Sequence, residues 1–328
     1  MNNSQSNVGV VIIGRNEGTR LVHCLESLLA LMPQVVYVDS ASTDNSLAEA
    51  TSRGAHIVSL DMTQPFTAAR ARNAGFDAIT SIFPHIKFVQ FVDGDCIVNN
   101  EWIETAVGFL NDHLKVAVVC GRRKETSPNR SIYNHLCDQE WNTPIGEAKA
   151  CGGDALMRVD VMKLVGGYRN NLIAGEEPEL CIRIRQAGYA IWRLDAEMTL
   201  HDAAITQFRQ WWKRSMRSGY AFAEGSFLHG APPECHWVVE SRRAWIWGVL
   251  IPLLILLTLT AKPIVGILFL LIYPIQIMRL TLKSNQKLKD ALVQAVFMTI
   301  GKFAEAVGQI KFLFNRYLNQ QSKIIEYK

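Results

Sequence analysis

Five acids stand where strand and helix ends would put them to use, and one histidine joins them as a candidate. In "FVQFVDGDCIVNNEW" (88–102) an apolar run, suited to a strand covered on both faces, ends in Asp93-Gly94-Asp95. Asp39 closes a second such run, "QVVYVDS" (34–40). Glu176 and Glu177 follow Gly175 at the head of "EEPELCIRIRQAG", and His201 lies in "TLHDAA". A lone D-G-D is ordinary turn chemistry. Acids closing two separate buried strands point further, to a crevice rimmed by carboxylates. Such a rim needs a cation to hold a phosphate, and a hard divalent ion on one or two carboxylates plus substrate oxygens supplies it. Neutral imidazole is compatible with Mn2+, so His201 would be a candidate ligand if the fold brought it beside that crevice, and an ordinary polar histidine otherwise. Glu176 and Glu177 either cap their helix, where the dipole stabilises a carboxylate by about 0.3 to 1 kcal/mol, or do chemistry there.

The elements that must position these groups alternate. Strands are expected at 8–14, 34–40, 55–60 and 86–93, and helices at 19–31, 42–54 and 67–79. Alternation of this kind means βαβ units: an α/β fold with a mostly parallel sheet and helices on both faces. Ligands of such sheets bind beyond the carboxyl ends of the strands, so Asp39, Asp93 and Asp95 should share one crevice. The turn after the first strand reads "IGRNEGTR", without G-x-G-x-x-G or G-x-x-x-x-G-K-[ST]. Dinucleotide and P-loop chemistry therefore lose their usual support.

Composition narrows the class. The 328 residues carry a net charge of only +4, against an extended nucleic-acid footprint. Seven scattered cysteines without a C-x-x-C pair suggest reduced, cytosolic thiols. "MNNSQSNVGV" lacks a basic segment followed by an apolar one, so no signal peptide is expected. The last third differs in kind. From Ala244 to Leu280, Lys262 is the only charge before Arg279. One helix of that length would reach about 55 Å, too long for a hydrocarbon core of roughly 30 Å. Lys262-Pro263 divides it into two apolar arms, 244–261 and 263–280. Arg242 and Arg243 before the first arm, and Arg279, Lys283, Lys287 and Lys289 after the second, put both outer ends on the cytoplasmic side. Beyond them Leu292, Val296, Ile300, Phe303, Val307, Ile310 and Phe314 form one apolar helical stripe, for the membrane surface or the soluble domain.

"VVIIGRNEG", "VYVDSASTDNS", "AARARNAGFD" and "FVDGDC", in this order and spacing, resemble a family 2 glycosyltransferase of GT-A fold. "CGGDALMRVDVMKLVGGYRNNLIAGEEPELCIRIRQAGY" resembles the acceptor-side segment of that family, and the likeness runs over about residues 8 to 225. The resemblance implies a donor site drawn from Arg15, Asn16, Glu17, Asp39, Arg70, Arg72, Asn73, Asp93 and Asp95. Asp39 would contact base or ribose, and Asp93 the ribose or the metal. Asp95 and His201 would ligate Mn2+ or Mg2+ at the donor diphosphate. Arg70 or Arg72 would neutralise diphosphate or fix an acid. Glu177 falls at the family's general base, with Glu176 as the alternative, because Gly175-Glu176-Glu177 stands where the family has G-E-D. An inverting transfer needs one carboxylate to take the acceptor hydroxyl's proton, and positive charge on the leaving diphosphate. Arg214 and Arg217, in "QFRQWWKRSMRSGYAFAEG" (207–225), would reach the diphosphate, or else belong to an amphipathic helix at the membrane surface.

The expected organisation is a transferase domain over 1–240, a membrane hairpin over 241–290 and an amphipathic helix with a tail over 291–328. The expected activity is inverting, metal-dependent transfer of one sugar from a nucleotide-sugar donor, UDP favoured over GDP. The acceptor would be lipid-linked or a membrane-proximal glycan, on the cytoplasmic face of a bacterial inner membrane. Gln210 departs from the Q-x-x-R-W of processive synthases, and one hairpin is too little for an extruding channel. Three rivals stand beside this reading: a retaining transferase, a nucleotidyltransferase, and a binding protein without chemistry.

Overall fold

The computed structural model describes residues 7–29, 32, 34–320 and 324–326. The expected first helix therefore loses Ala30 and Leu31 to the undescribed residues, as do residues 1–6 and parts of the tail. The chain divides into two compact units, before and after the Thr206–Gln207 junction.

The first unit is a nine-stranded sheet with flanking helices. Its parallel half comes from the first 93 residues: β1 (Val8–Gly14), α1 (Thr19–Leu29), β2 (Val35–Asp39), α2 (Ser46–Ser52), β3 (His56–Ser59), α3 (Ala68–Ile82) and β4 (Phe88–Asp93). The strand order is β3-β2-β1-β4, and every pair runs parallel. Continuous Val/Ile runs specify this, because β1 and β2 are covered on both faces and every residue of the two but Gly14 is buried. Helix α3 lies tightly on them: a Cβ on Gly75 would stand 2.3 Å from Val11 Cγ1. The polar member of β4, Gln90, is buried but satisfied, accepting from Trp102 Nε1 at 2.8 Å and donating to the Phe91 carbonyl at 2.7 Å.

The other half is mixed. It holds β5 (Cys96–Val98), α4 (Trp102–Asp112), β6 (Val116–Glu125), α5 (Ile132–Glu140), β7 (Gly146–Ala148), β8 (Ala155–Arg158), α6 (Val159–Val165), α7 (Glu176–Gln186) and β9 (Ala190–His201). Strand β8 inserts antiparallel between β4 and β6, and β9 pairs parallel with β6 but antiparallel with β5 and β7. The parallel order read from the sequence thus covers the first half of the sheet, and the remainder adds antiparallel neighbours.

The second unit is helical. It begins with α8 (Phe208–His229). Next, α9 (Val238–Trp245) continues through a π-helical stretch, Ile246–Leu250, into α10 (Ile251–Ala261). Then come α11 (Pro263–Leu270), α12 (Ile272–Lys283) and α13 (Leu288–Tyr317). Among the described residues, three stretches, Val238–Ala261, Pro263–Lys283 and Leu288–Tyr317, are long and apolar enough to cross a membrane. The first two form the expected hairpin around Lys262. Helix α13 packs along α8 and against the base of the hairpin, on 238–250 and 272–283, with no comparable packing on its outer part, 251–270. Its inward face is mostly small residues, joined by Gln309 and Phe312. Ala291, Ala295, Gly301, Ala304, Ala306 and Gly308 are buried, while Leu292, Val307, Ile310 and Phe314 of the large apolar stripe are exposed. Small residues let helix backbones approach closely, which is how helices pack where lipid rather than water surrounds them.

Candidate active site

The sheet register assembles the site. Gly14 at the end of β1 faces Asp39, and Ile13 faces Asp93, so the two acids flank the same strand end as the crevice rule requires. Asp93 is held by two guanidiniums: Arg72 Nη2 at 2.8 Å and Arg123 Nη2 at 3.5 Å. Burial pushes its carboxyl up, but the two arginines outweigh that and hold it below the usual range. Arg123, from β6, also pairs with the fully buried Asp154 at 2.8 Å. Asp154 precedes β8, accepts from the Asp93 backbone N–H at 3.1 Å and the Thr199 hydroxyl at 2.8 Å, and so locks the turn after β4.

That turn carries Asp95 to a different partner. Strand β5 lies against β9 with Cys96 opposite His201, and His201 Nε2 stands 3.2 Å from Asp95 Oδ2. The Trp141 ring stacks on the imidazole, centroids 4.7 Å apart, and Arg123 lies 5.6 Å over the same indole. One ligand atom each from Asp95, Cys96 and His201 fall within 4.8 Å of one another, and so do those of Asp93, Cys96 and Asp154. The donor chemistry separates the two groups. In the second, both acids are committed to arginines. In both, burial first and then the neighbouring acids raise Cys96 well above its ordinary range, so it is a protonated thiol, donating to Asp154 at 3.3 Å. Asp95 with His201 is therefore the pair that fits a divalent ion, completed by substrate oxygens.

Helix α7 brings up the third part. Gly175 caps it in the left-handed conformation, φ 78°, and Glu176, Glu177 and Glu179 occupy its first turn. Glu176 and Glu177 both reach Arg72 Nη1 at 2.9 Å, the guanidinium whose other nitrogen holds Asp93. One arginine therefore ties the end of β4 to the start of α7. Glu176 is buried, whereas Glu177 keeps partial exposure. Burial, then repulsion from Glu176, pushes Glu177 up to about 7 against the opposing pull of Arg72. Glu179 turns away to Arg183 and Arg169.

The other sequence candidates are placed as follows. Asp39 is buried, accepting from the Tyr37 hydroxyl at 3.2 Å and the Ser42 backbone N–H at 3.0 Å. Asn16, with φ 57°, binds Ser42 and Thr43 and so ties the loop after β1 to the loop after β2. Arg15 lies 4.9 Å over the Phe66 ring, and Glu17 pairs with Arg20 at 2.7 Å. Arg70 donates to the carbonyls of Asp61, Gln64 and Pro65 and shapes that loop from the exposed side of α3. Asn73 clips the loop after α6 through Tyr168 and Asn170. Arg214 and Arg217 lie on α8, in the second unit. Sequence reasoning missed Asp154, Arg123 and Trp141. Two consecutive arginines closing the apolar run "VAVVC" were the available signal for Arg123. A cavity of about 450 Å³ lined by Arg122, Pro144, Arg193 and Glu197 contains none of the acids above, so the carboxylate cluster carries the functional reading.

A half-parallel, half-mixed sheet with acids at the end of its fourth strand and a glutamate-led helix facing them defines an α/β domain of GT-A type. Residues 9–164, just under half of the chain, match the family described as Glycosyl transferase family 2. Among curated relatives, the chain is 26% identical over 242 residues to a pre-mycofactocin glycosyltransferase of Mycobacterium tuberculosis, covering 69% of this chain and 49% of that protein. It is 25% identical over 197 residues to the glycosyltransferase AglE of Haloferax volcanii, covering 56% and 63% respectively. The chain thus spans about half of the first relative and under two thirds of the second. In fold it is similar to the mannosyltransferase PcManGT from Pyrobaculum calidifontis, solved with GDP-Man and Mn2+. That match has a TM-score of 0.59 and 16% identity, and covers 94% of this chain and 88% of that one. It is also similar to glucosyl-3-phosphoglycerate synthase from Mycobacterium tuberculosis, solved with Mn2+ and UDP-Glc. There the TM-score is 0.51 and the identity 18%, over 69% and 80% of the two chains.

Proposed function

We propose that this chain is an inverting, metal-dependent glycosyltransferase that moves one sugar from a nucleotide-sugar donor to a lipid-linked or membrane-proximal glycan. The observation that carries the reading is Glu177. It is a partly exposed carboxylate at a helix N-terminus whose pKa is raised to about 7, joined through Arg72 to the acid ending β4. A general base works best with a pKa near the operating pH. Glu177 takes the proton of the acceptor hydroxyl as its oxygen bonds the anomeric carbon. The bond from that carbon to the diphosphate oxygen breaks in the same displacement, and the nucleoside diphosphate leaves with the electron pair.

Asp39 binds the base or ribose from the end of β2, and Asp93, fixed by Arg72 and Arg123, lines the donor's ribose. Asp95 and His201 hold Mn2+ or Mg2+, whose role when bound is to stabilise negative charge on the leaving diphosphate. UDP-sugars are favoured and GDP-sugars come second, in line with the UDP-Glc and GDP-Man of the two similar structures. Two apolar helices with basic outer ends, and the exposed apolar stripe of α13, support a domain at the cytoplasmic face of a membrane, a bacterial inner membrane by this reading.

The test is donor binding and turnover by the purified protein in detergent, with UDP-, GDP- and dTDP-sugars and with Mn2+, Mg2+ or EDTA. One nucleotide should bind only with metal, and the product should carry the anomeric configuration opposite to the donor's. Retained configuration would move the chain to the retaining class and remove the base from Glu177. Failure of every sugar nucleotide under every metal condition would leave the acids as structural groups.

A further inference from the structure

The helical unit holds a second cavity, of about 450 Å³, at the base of the membrane hairpin. Its walls come from Arg243 of α9 and Trp247 of the π-helical stretch that continues it, from Gln276, Arg279 and Lys283 of α12, and from Lys302 of α13. Four cations thus converge on one concavity, and no acid is among its lining residues. Lys302 has a partner, Glu305, one turn along α13. Arg243, Arg279 and Lys283 are exposed. Trp247 is suited to the level of lipid headgroups, an amphipathic ring with an apolar body.

Helix α13 completes this cavity because it crosses the hairpin at its base. A Cβ on Gly248 would stand 2.3 Å from the Lys302 carbonyl, so the backbones touch there and Lys302 is brought beside the first arm. The Tyr273 hydroxyl donates to the Trp247 carbonyl at 2.8 Å and fixes the second arm against the π-helical stretch. Positive flanks alone would satisfy topology with cations pointing anywhere. Here cations from three separate helices line one pocket, with an amide and an indole among them.

The structure assigns this pocket to the phosphate headgroup of an anionic membrane lipid, with the acyl or isoprenyl chain running along the apolar arms. Basic pockets between membrane helices on the cytoplasmic side bind such headgroups. The assignment rests on the membrane placement proposed above but not on the identity of the donor or on Glu177.

The experiment compares lipid retention by the full chain in nanodiscs of phosphatidylcholine doped with phosphatidylglycerol or with a long-chain isoprenyl phosphate, read by native mass spectrometry. The pocket variant is Arg279→Gln with Lys283→Gln. The control is Lys287→Gln with Lys289→Gln, which removes the same charge from the same end of the hairpin but outside the pocket. Wild type should retain the anionic lipids over zwitterionic phosphatidylcholine, and the pocket variant should lose about fivefold of that preference per charge removed. The control should keep wild-type selectivity. Equal losses in the two variants would reduce the effect to general surface charge and overturn the site. Equal protection of detergent-solubilised protein by inorganic phosphate and by the lipids would overturn the lipid assignment. Protein that stays in solution without detergent or lipid would instead refute the membrane placement, a failure separable from these two.

Discussion

Glu176 and Glu177 both lie 2.9 Å from the same Arg72 nitrogen, so those two carboxylate oxygens are at most twice that distance, 5.8 Å, apart. At an effective dielectric of about 20, two charges at that separation repel by about 3 kcal/mol, or about two pH units. Partial exposure of Glu177 reduces this to about one unit or somewhat more. Glu176→Gln keeps an acceptor for Arg72 and removes the repelling charge. The expected result is an acid limb of kcat/KM displaced downward by about one to two units from its position near pH 7. The sign follows from the base acting deprotonated: a lower pKa keeps it competent at lower pH. Wild type should retain about a tenth of its plateau at pH 6, and Glu176→Gln about half or more. Glu177→Gln should lose about 10²- to 10⁴-fold at every pH while still binding donor. The assay is initial rate against pH with Mn2+ saturating throughout. A limb that stays put or rises in Glu176→Gln refutes the electrostatic reasoning. Full turnover by Glu177→Gln, with Glu176→Gln inactive, assigns the base to Glu176.

Asp95→Ala and His201→Ala should each abolish metal-dependent donor binding in calorimetry while leaving the melting midpoint within a few degrees of wild type; unchanged Mn2+ dependence in both would remove the ion from this pair. Asp154→Asn should destabilise by about 3 to 5 kcal/mol in chemical denaturation, because it strips the fully buried partner from Arg123. A loss under about 1 kcal/mol would show the pair to be solvated. Gly219→Val should destabilise the helical unit by about 1 to 3 kcal/mol in detergent, since a Cβ there would stand 2.0 Å from the Glu305 carbonyl of α13; a wild-type melting midpoint would mean that the two helices do not pack as described.

The legible part of the site was the part fixed by strand ends. Asp39 and Asp93 follow from two apolar runs of the right length, because parallel strands deliver their last residues to one edge. The arginines of α3 show where such reasoning stops. Arg70 and Arg72 are two residues apart, so they point about 200° apart around the helix, and the sequence leaves open which faces inward. The structure buries Arg72 among three acids and turns Arg70 out to three carbonyls. Asp154 and Arg123 were beyond reach because their meeting depends on β8 inserting between β4 and β6, a pairing that no local pattern announces. In α13 the period was read correctly, but its buried side carries the small residues. The rule that large apolar side chains turn inward presumes water outside, and Leu292, Val307, Ile310 and Phe314 are exposed instead.

The distribution of charge supports the proposal that Glu177, among so many acids, is the group that moves a proton. Arg72 is buried and bridges three carboxylates, so its single charge cannot neutralise all of them. Asp93 draws on a second guanidinium, Arg123, and is held below the ordinary range despite its burial. The shortfall is left at the start of α7. A proton settles there most cheaply on the carboxylate that is desolvated yet still reaches solvent, and that is Glu177, raised to about 7. Were Arg123 absent, Asp93 would depend on Arg72 alone. The second arginine, on β6 two strands from β4 in the sheet order, therefore shares with Arg72 the charge of Asp93 and leaves more of Arg72 to the glutamates.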